Sequence, residues 1–293
     1  MKKRFSLSKL PIHIFFVIYS LLCILPFILI LSISFSNEND IINNGFALIP
    51  QHFSTDAYKQ IFGNPSSLLQ AYLVTIVYAV GGTLLKILIE AMMGYVLSRD
   101  ICAFKKPLNA MLVITMFFNG GLIPSYIINT QWFHLGDSIW IYLLSGLMGA
   151  YNVFVFRTFF STIPKSLIES AMLDGASEMN ILRIIVIPLS KPVLATFSFM
   201  SLIAKWNDYT TSMYYITEPK LYTLQYLLQN ILNEAEFLKS LKESMPGLAD
   251  VVAVPSETLK YAMCILAAGP MVIVFPAFQK YFAKGMVVGA VKG

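Results

Sequence analysis

The chain has 293 residues, 57% of them apolar and 13% charged, with a formal net charge of +5 and a mean hydropathy of +0.68. An average soluble domain carries roughly 25% charged residues, so this chain cannot cover a water-facing surface and most of its outside must meet lipid. Lys and Arg are scattered between apolar runs rather than gathered on one face, which excludes nucleic acid as the partner. Cys23, Cys102 and Cys264 show no CxxC spacing, and His13, His52 and His134 are far apart in sequence, so neither a disulfide framework nor a metal site is expected.

A spanning helix needs about 20 mostly apolar residues. Six segments qualify: 12–35, 70–97, 108–128, 138–160, 193–216 and 259–282. Met1-Lys2-Lys3-Arg4 before an apolar run also opens a signal peptide, whose apolar part is only about 7–15 residues long. The run at 12–35 is longer and no A-x-A site follows, so it reads as an uncleaved first span. The second span holds Lys86 and Glu90, four apart and so on one helix face. Charges at membrane depth face a bundle interior or a pathway by default; this pair reads as self-neutralising, locking helix packing, with a pathway role as the alternative. On the fourth span, Ser145/Gly149 and Gly146/Ala150 are small-xxx-small pairs that permit close helix contact.

The stretch 161–192 is too long for a simple turn. Ser166-Leu167-Ile168-Glu169 reads as a capping box that opens a helix. Gly175 can end that helix in the left-handed conformation. Ser177 can cap a second one, and Pro188 and Pro192 stop it. The result is a helix–glycine–helix elbow, a shaped docking element or an ordinary surface helix pair. The fifth span carries Lys205, Trp206, Asn207, Asp208 and Tyr209. Indole and phenol faces stack on pyranose C–H surfaces while Asn and Asp bond hydroxyls, which suits a sugar pathway. Lys205 can also pair with a uronate carboxylate, or merely neutralise Asp208. Farther along, Leu221, Leu224, Leu227, Leu228 and Ile231 recur at helical spacing. They predict an amphipathic helix lying on the outer membrane surface or packed on the protein itself.

Loop charges set the orientation. With the N-terminus inside, the inner segments hold fourteen basic residues, from Lys2, Lys3, Arg4 and Lys9 to Lys280, Lys284 and Lys292, against four acids, Asp100, Glu169, Asp174 and Glu178. The outer segments hold five basic residues and ten acids. Both termini are therefore expected in the cytoplasm, with two long outer connections, 36–69 and 217–258.

Glu169-Ser170-Ala171, then Gly175 after three residues and Ile185-Val186-Ile187-Pro188 after nine more, resembles the EAA motif of ABC importer permeases, E-A-A-x3-G-x9-I-x-L-P. Ser170 and Ile187 are conservative departures from it. The segment Met116 to Pro124, Trp206-Asn207 and the C-terminal Gly285 to Gly293 look like the MalG-type carbohydrate permeases, in the branch serving oligosaccharide uptake. The resemblance covers nearly the whole chain. It implies an all-α integral membrane protein of six transmembrane helices with the type I ABC importer fold, in the bacterial cytoplasmic membrane. It also implies a second, non-identical permease, two ATPase subunits that bind ATP and Mg, an extracytoplasmic solute-binding protein and an oligosaccharide cargo. Some members of this branch import acidic plant or algal oligosaccharides, alginate fragments among them. The residues that would seat in the ATPase are Glu169, Ser170, Ala171, Asp174, Gly175, Ile185 and Pro188.

No Gly-Lys dipeptide occurs, so the phosphate-cradling P-loop, G-x-x-x-x-G-K-[ST], is absent. The chain itself is not expected to be an enzyme or to hold a cofactor. An ion-coupled secondary carrier is the alternative. It needs midplane acids able to bind Na⁺ or H⁺ and two helix-breaking repeats, whereas Glu90 and Asp208 each stand beside a lysine. An intramembrane enzyme needs a nucleophile–base or metal constellation, and none is visible.

Overall fold

The computed structural model describes residues 10–63, 65–100, 102–244 and 257–290. Lys2, Lys3, Arg4, Lys9, Lys292, Gly293 and the stretch 245–256 of the second outer connection lie outside the described residues. Every regular element among them is helical, apart from one antiparallel bridge between Ser36 and Phe53.

Residues 10–68 and 228–270 form one compact unit. Its α1 (Leu10–Ser34) crosses an apolar environment unaided: its 18-residue window has a mean hydropathy of 2.9 and none of it is buried. Such a surface is stable only in lipid. After α1 come α2 (Glu38–Asn44) and α3 (Asp56–Phe62). Phe35 stacks between Phe53 and Tyr58, at 5.3 and 4.8 Å between centroids, and the Tyr58 hydroxyl donates to Ser34 Oγ at 3.0 Å. Glu38, in the first turn of α2, accepts from the backbone N–H groups of Glu257 and Thr258 at 2.8 and 3.0 Å. A carboxylate there satisfies orphan donors at the positive end of the last helix.

The second unit comprises residues 69–227 and 271–290 of the described chain. Helix α4 (Pro65–Ile76) runs through a π-helical turn at Val77–Gly81 into α5 (Gly82–Ser98), giving a 34-residue apolar helix. The expected third span is not continuous. Helices α6 (Lys105–Phe117) and α7 (Leu122–Ile127), which continues as a π turn to Trp132, meet at 117°. Gly121 makes the turn with φ +86°, a conformation open to glycine and costly for other residues. The fourth is interrupted too. Helix α8 (Trp140–Leu144) stops, and α9 (Ala150–Phe160) starts after a break in which Gly146 takes φ +65°. Ser145, Gly146 and Gly149 therefore lie in that break rather than on a continuous small-residue face. The glycine that allows close helix approach is Gly94 on α5, where a Cβ would stand 2.8 Å from Phe156 Cβ and 3.1 Å from the Arg157 nitrogen.

Helices α10 (Lys165–Leu173), α11 (Glu178–Ile181) and α12 (Ile187–Leu189) build the expected elbow. The capping box does not form. Pro164, at ψ 125°, starts the helix two residues early, with no side-chain cap; Ser166 then falls inside the first turn. Gly175 ends α10 as expected, at φ +78°, with Ala176 N–H reaching back to the Ala171 carbonyl at 2.9 Å. Ser177 caps α11 through the Asn180 N–H. Pro188 does not stop the second helix. A π-helical turn at Leu182–Val186 widens the helix just before it, and the chain bends by 82° only at Ser190, before α13 (Lys191–Trp206). The fifth span breaks after Trp206 and resumes as α14 (Thr210–Tyr215). The leucine-patterned segment forms α15 (Leu224–Ser244), and α16 (Glu257–Ala290) closes the chain. Leu224 and Ala235 on α15 are fully buried, so its apolar face packs on protein.

Candidate functional site

A cavity of about 580 Å³ opens among α5, the break between α8 and α9, the first turn of α9, and α13. Tyr78, Tyr151, Phe197 and Met200 give it apolar walls, while Lys86, Asn152, Ser201, Lys205 and Asp208 give it polar groups. This is the composition of a ligand pocket, largely apolar walls with a few polar groups that orient the bound molecule.

Glu90 shows how the break in the fourth span is held. It is fully buried. One carboxylate oxygen accepts from the Gly149 N–H at 2.7 Å and the other from Asn152 Nδ2 at 3.0 Å. Gly149 has no side chain to cap α9, so a carboxylate from α5 does it from outside. Lys86, one turn earlier, lies 3.3 Å from Glu90 and donates to the Gly146 carbonyl at 3.2 Å. The pair thus pins both ends of the break, as well as neutralising itself.

Lys205 and Asp208 behave differently. They make no ion pair with one another. Asp208 accepts from the Tyr78 hydroxyl at 2.7 Å, from the Thr210 N–H at 2.8 Å and from the hydroxyls of Thr210 and Thr211. Lys205 is 8% exposed, and its ammonium stands 4.5 Å from the centre of the Tyr78 ring. A Cβ at Gly82 would come within 3.0 Å of that ammonium, so the glycine leaves room for the lysine's extended stem.

Of the five sequence candidates on the fifth span, Lys205 and Asp208 line the cavity. Trp206 is buried away from it. Asn207 is exposed and accepts from Gln225 Nε2 at 3.2 Å; Tyr209 is also outside the lining. The aromatic walls come instead from Tyr78, Tyr151 and Phe197, which the sequence reading missed. Tyr78, Tyr151 and Asn152 were detectable as polar groups inside apolar segments, by the same reasoning that singled out Lys86.

The elbow has a buried base and an exposed tip. Ile168, Ile181, Leu182 and Val186 pack with Ala91 and Tyr95 of α5 and Phe156 and Phe160 of α9. At the tip Glu169 is exposed and Leu173 is 89% exposed. Of the remaining candidates, Ser170, Asp174, Gly175 and Pro188 are exposed and Ala171 and Ile185 half-buried. Glu178 anchors the elbow to the end of α5. Arg99 bonds both its oxygens, at 3.0 and 3.2 Å, and the Tyr95 hydroxyl donates to it as well. Partial burial pushes this carboxyl upward, but the hydrogen bonds from Arg99 and Tyr95 outweigh it and hold Glu178 below the usual range.

Residues 5–288 match the family model described as "Binding-protein-dependent transport system inner membrane component". Over 293 residues, covering all of both chains, the sequence is 34% identical to the polygalacturonan/rhamnogalacturonan transport system permease protein YtcP of Bacillus subtilis. It is 28% identical to the melibiose/raffinose/stachyose import permease protein MelC of the same organism, over 92% of this chain and 91% of that one. The crystal structure of a bacterial ABC transporter involved in the import of the acidic polysaccharide alginate contains a chain that superposes with a TM-score of 0.79 at 27% identity, covering 95% of this chain and 99% of that one. The all-α architecture is that of an ABC importer permease, and the chain belongs to the binding-protein-dependent transport system inner membrane components.

Proposed function

We propose that this chain is one of two non-identical permease subunits of an ATP-driven oligosaccharide importer. The observation that carries the proposal is the elbow: a rigid, buried base joined to α5 and α9, and a projecting tip with Glu169 and Leu173 free to dock. The Ser170, Ala171, Asp174, Gly175, Ile185 and Pro188 positions shape that tip and its support. Two partner ATPases, which bind ATP and Mg, seat it, and their closure moves α5 and α9, the helices that flank the cavity. A solute-binding protein delivers cargo to the outer side. The chain crosses the membrane six times, with broken spans three to five, and both termini lie in the cytoplasm. The names of the relatives support an oligosaccharide as cargo, and Tyr78, Tyr151, Phe197 and Asn152 supply the stacking faces and hydrogen bonds a sugar needs. The chain contributes no ATPase site of its own.

Reconstitution in liposomes with the partner subunits tests this. Oligosaccharide uptake should require ATP and the binding protein and should be unaffected when Na⁺ and proton gradients are collapsed. Uptake driven by an ion gradient without ATP would establish the secondary-carrier reading instead.

A further inference from the structure

We propose that a second sugar subsite, a tyrosine-walled cup, lies at the end of α4–α5 away from the elbow and takes one ring of the cargo before it reaches the cavity beside Lys205. The inference rests on the importer reading above and adds a site to it. The cup has a volume of about 380 Å³, and Tyr126 of α7, His134 of the following loop and Tyr214 and Tyr215 of α14 line it. The elbow packs on Tyr95, whereas Val74 and Tyr78 of the same long helix pack with Leu135, Ile139 and Tyr215. From Tyr95 back to Val74 is about 30 Å at the helical rise. With the elbow seated in the ATPases, the cup is at the end where cargo arrives.

The chemistry of the lining is neutral. Asp137 is the one acid in it, and the Thr217 hydroxyl and the N–H groups of Thr217 and Glu218 occupy both its oxygens. No lysine or arginine lines the cup among the described residues. Tyr126 stacks on Tyr215 at 5.7 Å between centroids and 20° between planes, and Asn129 Nδ2 donates to the Tyr215 hydroxyl at 3.3 Å. Tyr126 and Tyr214 remain 43% and 37% exposed. Their hydroxyls and the His134 ring carry no hydrogen bond among the described residues. Ring faces beside unused phenol and imidazole groups suit a pyranose, whose C–H faces stack while its hydroxyls bond.

The backbone holds this arrangement at a cost. His134 and Asp137 are the two non-glycine residues with positive φ among the described residues, both at 50°, and both line the cup. Such conformations persist only where the surroundings enforce them. Here Phe133 N–H donates to the Ile128 carbonyl at 3.0 Å, Leu135 N–H to that of Asn129 at 2.8 Å and Asp137 N–H to that of Tyr215 at 3.0 Å. Trp132 and Trp140, 75% and 55% exposed, flank the loop as aromatics do where a membrane meets water. A tyrosine of such a belt would stand singly among lipid headgroups; these come from two elements and converge on one concavity. Helix α14, six residues and so about 9 Å long, links the two sites. Asp208, two residues before it, lines the first cavity, and Tyr214 and Tyr215 at its end line the cup, so one oligosaccharide can reach both.

A thiol in the cup tests this. Gly136 lines it, and a Cβ there meets only ordinary contacts, 3.8 Å from Thr130 and 3.9 Å from the Tyr215 carbonyl. Gly136→Cys is made with Cys23, Cys102 and Cys264 replaced by serine, and the complete importer is labelled with a polar maleimide in liposomes. Raffinose, maltotetraose and tetragalacturonate are first screened for ATP-dependent uptake. The one taken up fastest, added free without binding protein, should slow labelling roughly threefold or more, and sorbitol at equal concentration should not. Tyr126→Ala with Tyr214→Ala should abolish the protection, and Tyr126→Phe should keep most of it. No protection by a transported sugar, protection that survives loss of both tyrosines, or labelling that follows the lipid headgroup and ignores sugar overturns the subsite and leaves the importer reading standing. Absence of ATP-dependent uptake of all three sugars overturns the importer reading itself. If the double tyrosine variant does not assemble, the contrast between sugar and sorbitol in Gly136→Cys decides.

Discussion

Glycines 94 and 146 look alike in sequence, each in an apolar segment, yet the structure needs them for different reasons. At Gly94 the constraint is space, because a Cβ would strike Phe156 and Arg157 on α9. At Gly146 the space is open and the constraint is φ +65°. Gly94→Ala should therefore force α5 and α9 apart and destabilise the fold by about 1–3 kcal/mol, read as a lower unfolding temperature of the purified complex. Gly146→Ala should cost about 1 kcal/mol from backbone strain alone, and Gly146→Asn less, since Asn tolerates that conformation. The reverse order of the two alanine variants would refute the assignment. Charge follows the same logic. Glu90→Gln leaves Lys86 half-sequestered without a counter-charge, a loss of roughly 3–5 kcal/mol when a buried pair is broken. Lys86→Met added to it should recover part of the stability, but not the cap on α9. A double-mutant cycle measures that remainder.

At the scale of elements, much of the elbow was legible. The positions of Gly175 and Ser177 follow from backbone chemistry that any sequence must obey. The capping box at Ser166 was misread because Pro164, two residues earlier, fixes the backbone before the serine can act. The anchor at Glu178 was not legible, because its partners Tyr95 and Arg99 are about 80 positions away, and no local pattern reveals such a contact. Two outcomes follow for this element. Gly175→Leu should leave the permease inserted while uptake per ATP falls, since a side chain at φ +78° tilts the docking tip; normal uptake by this variant would refute it. The folded pKa of Glu178 is depressed, so its contribution is present above the ordinary glutamate value, about 4.3, and is lost as pH falls through the lower folded value. Thermal unfolding of wild type and Glu178→Gln should differ at neutral pH and converge only below about pH 4.

Over the whole molecule, hydropathy located the apolar segments but could not show that three of them are broken. A window average treats Asn119-Gly120-Gly121 or Ser145 to Gly149 as mild dips, whereas there the chain leaves the helix and turns with positive φ at Gly121 and Gly146. The breaks matter because one of them opens the cavity, so the least regular backbone lies nearest the proposed pathway, where lining a cavity tolerates it. The surface of α15 carries the last prediction. Helix α15 buries Leu224 and Ala235 but leaves Phe237 61% exposed, beside Asn233, Glu236 and Ser240 in a shallow groove of about 520 Å³. An exposed aromatic among polar neighbours is the composition of a protein contact. The outer connection at 129–137 is built otherwise. Asp137 there is occupied by the Thr217 hydroxyl and by the N–H groups of Thr217 and Glu218, which tie it to the chain itself. A photocrosslinking residue placed at Phe237 should therefore capture the solute-binding protein of the assembled importer several-fold more efficiently than one placed at His134. Equal capture at the two positions, or capture at His134 alone, would assign docking to a different part of the outer surface.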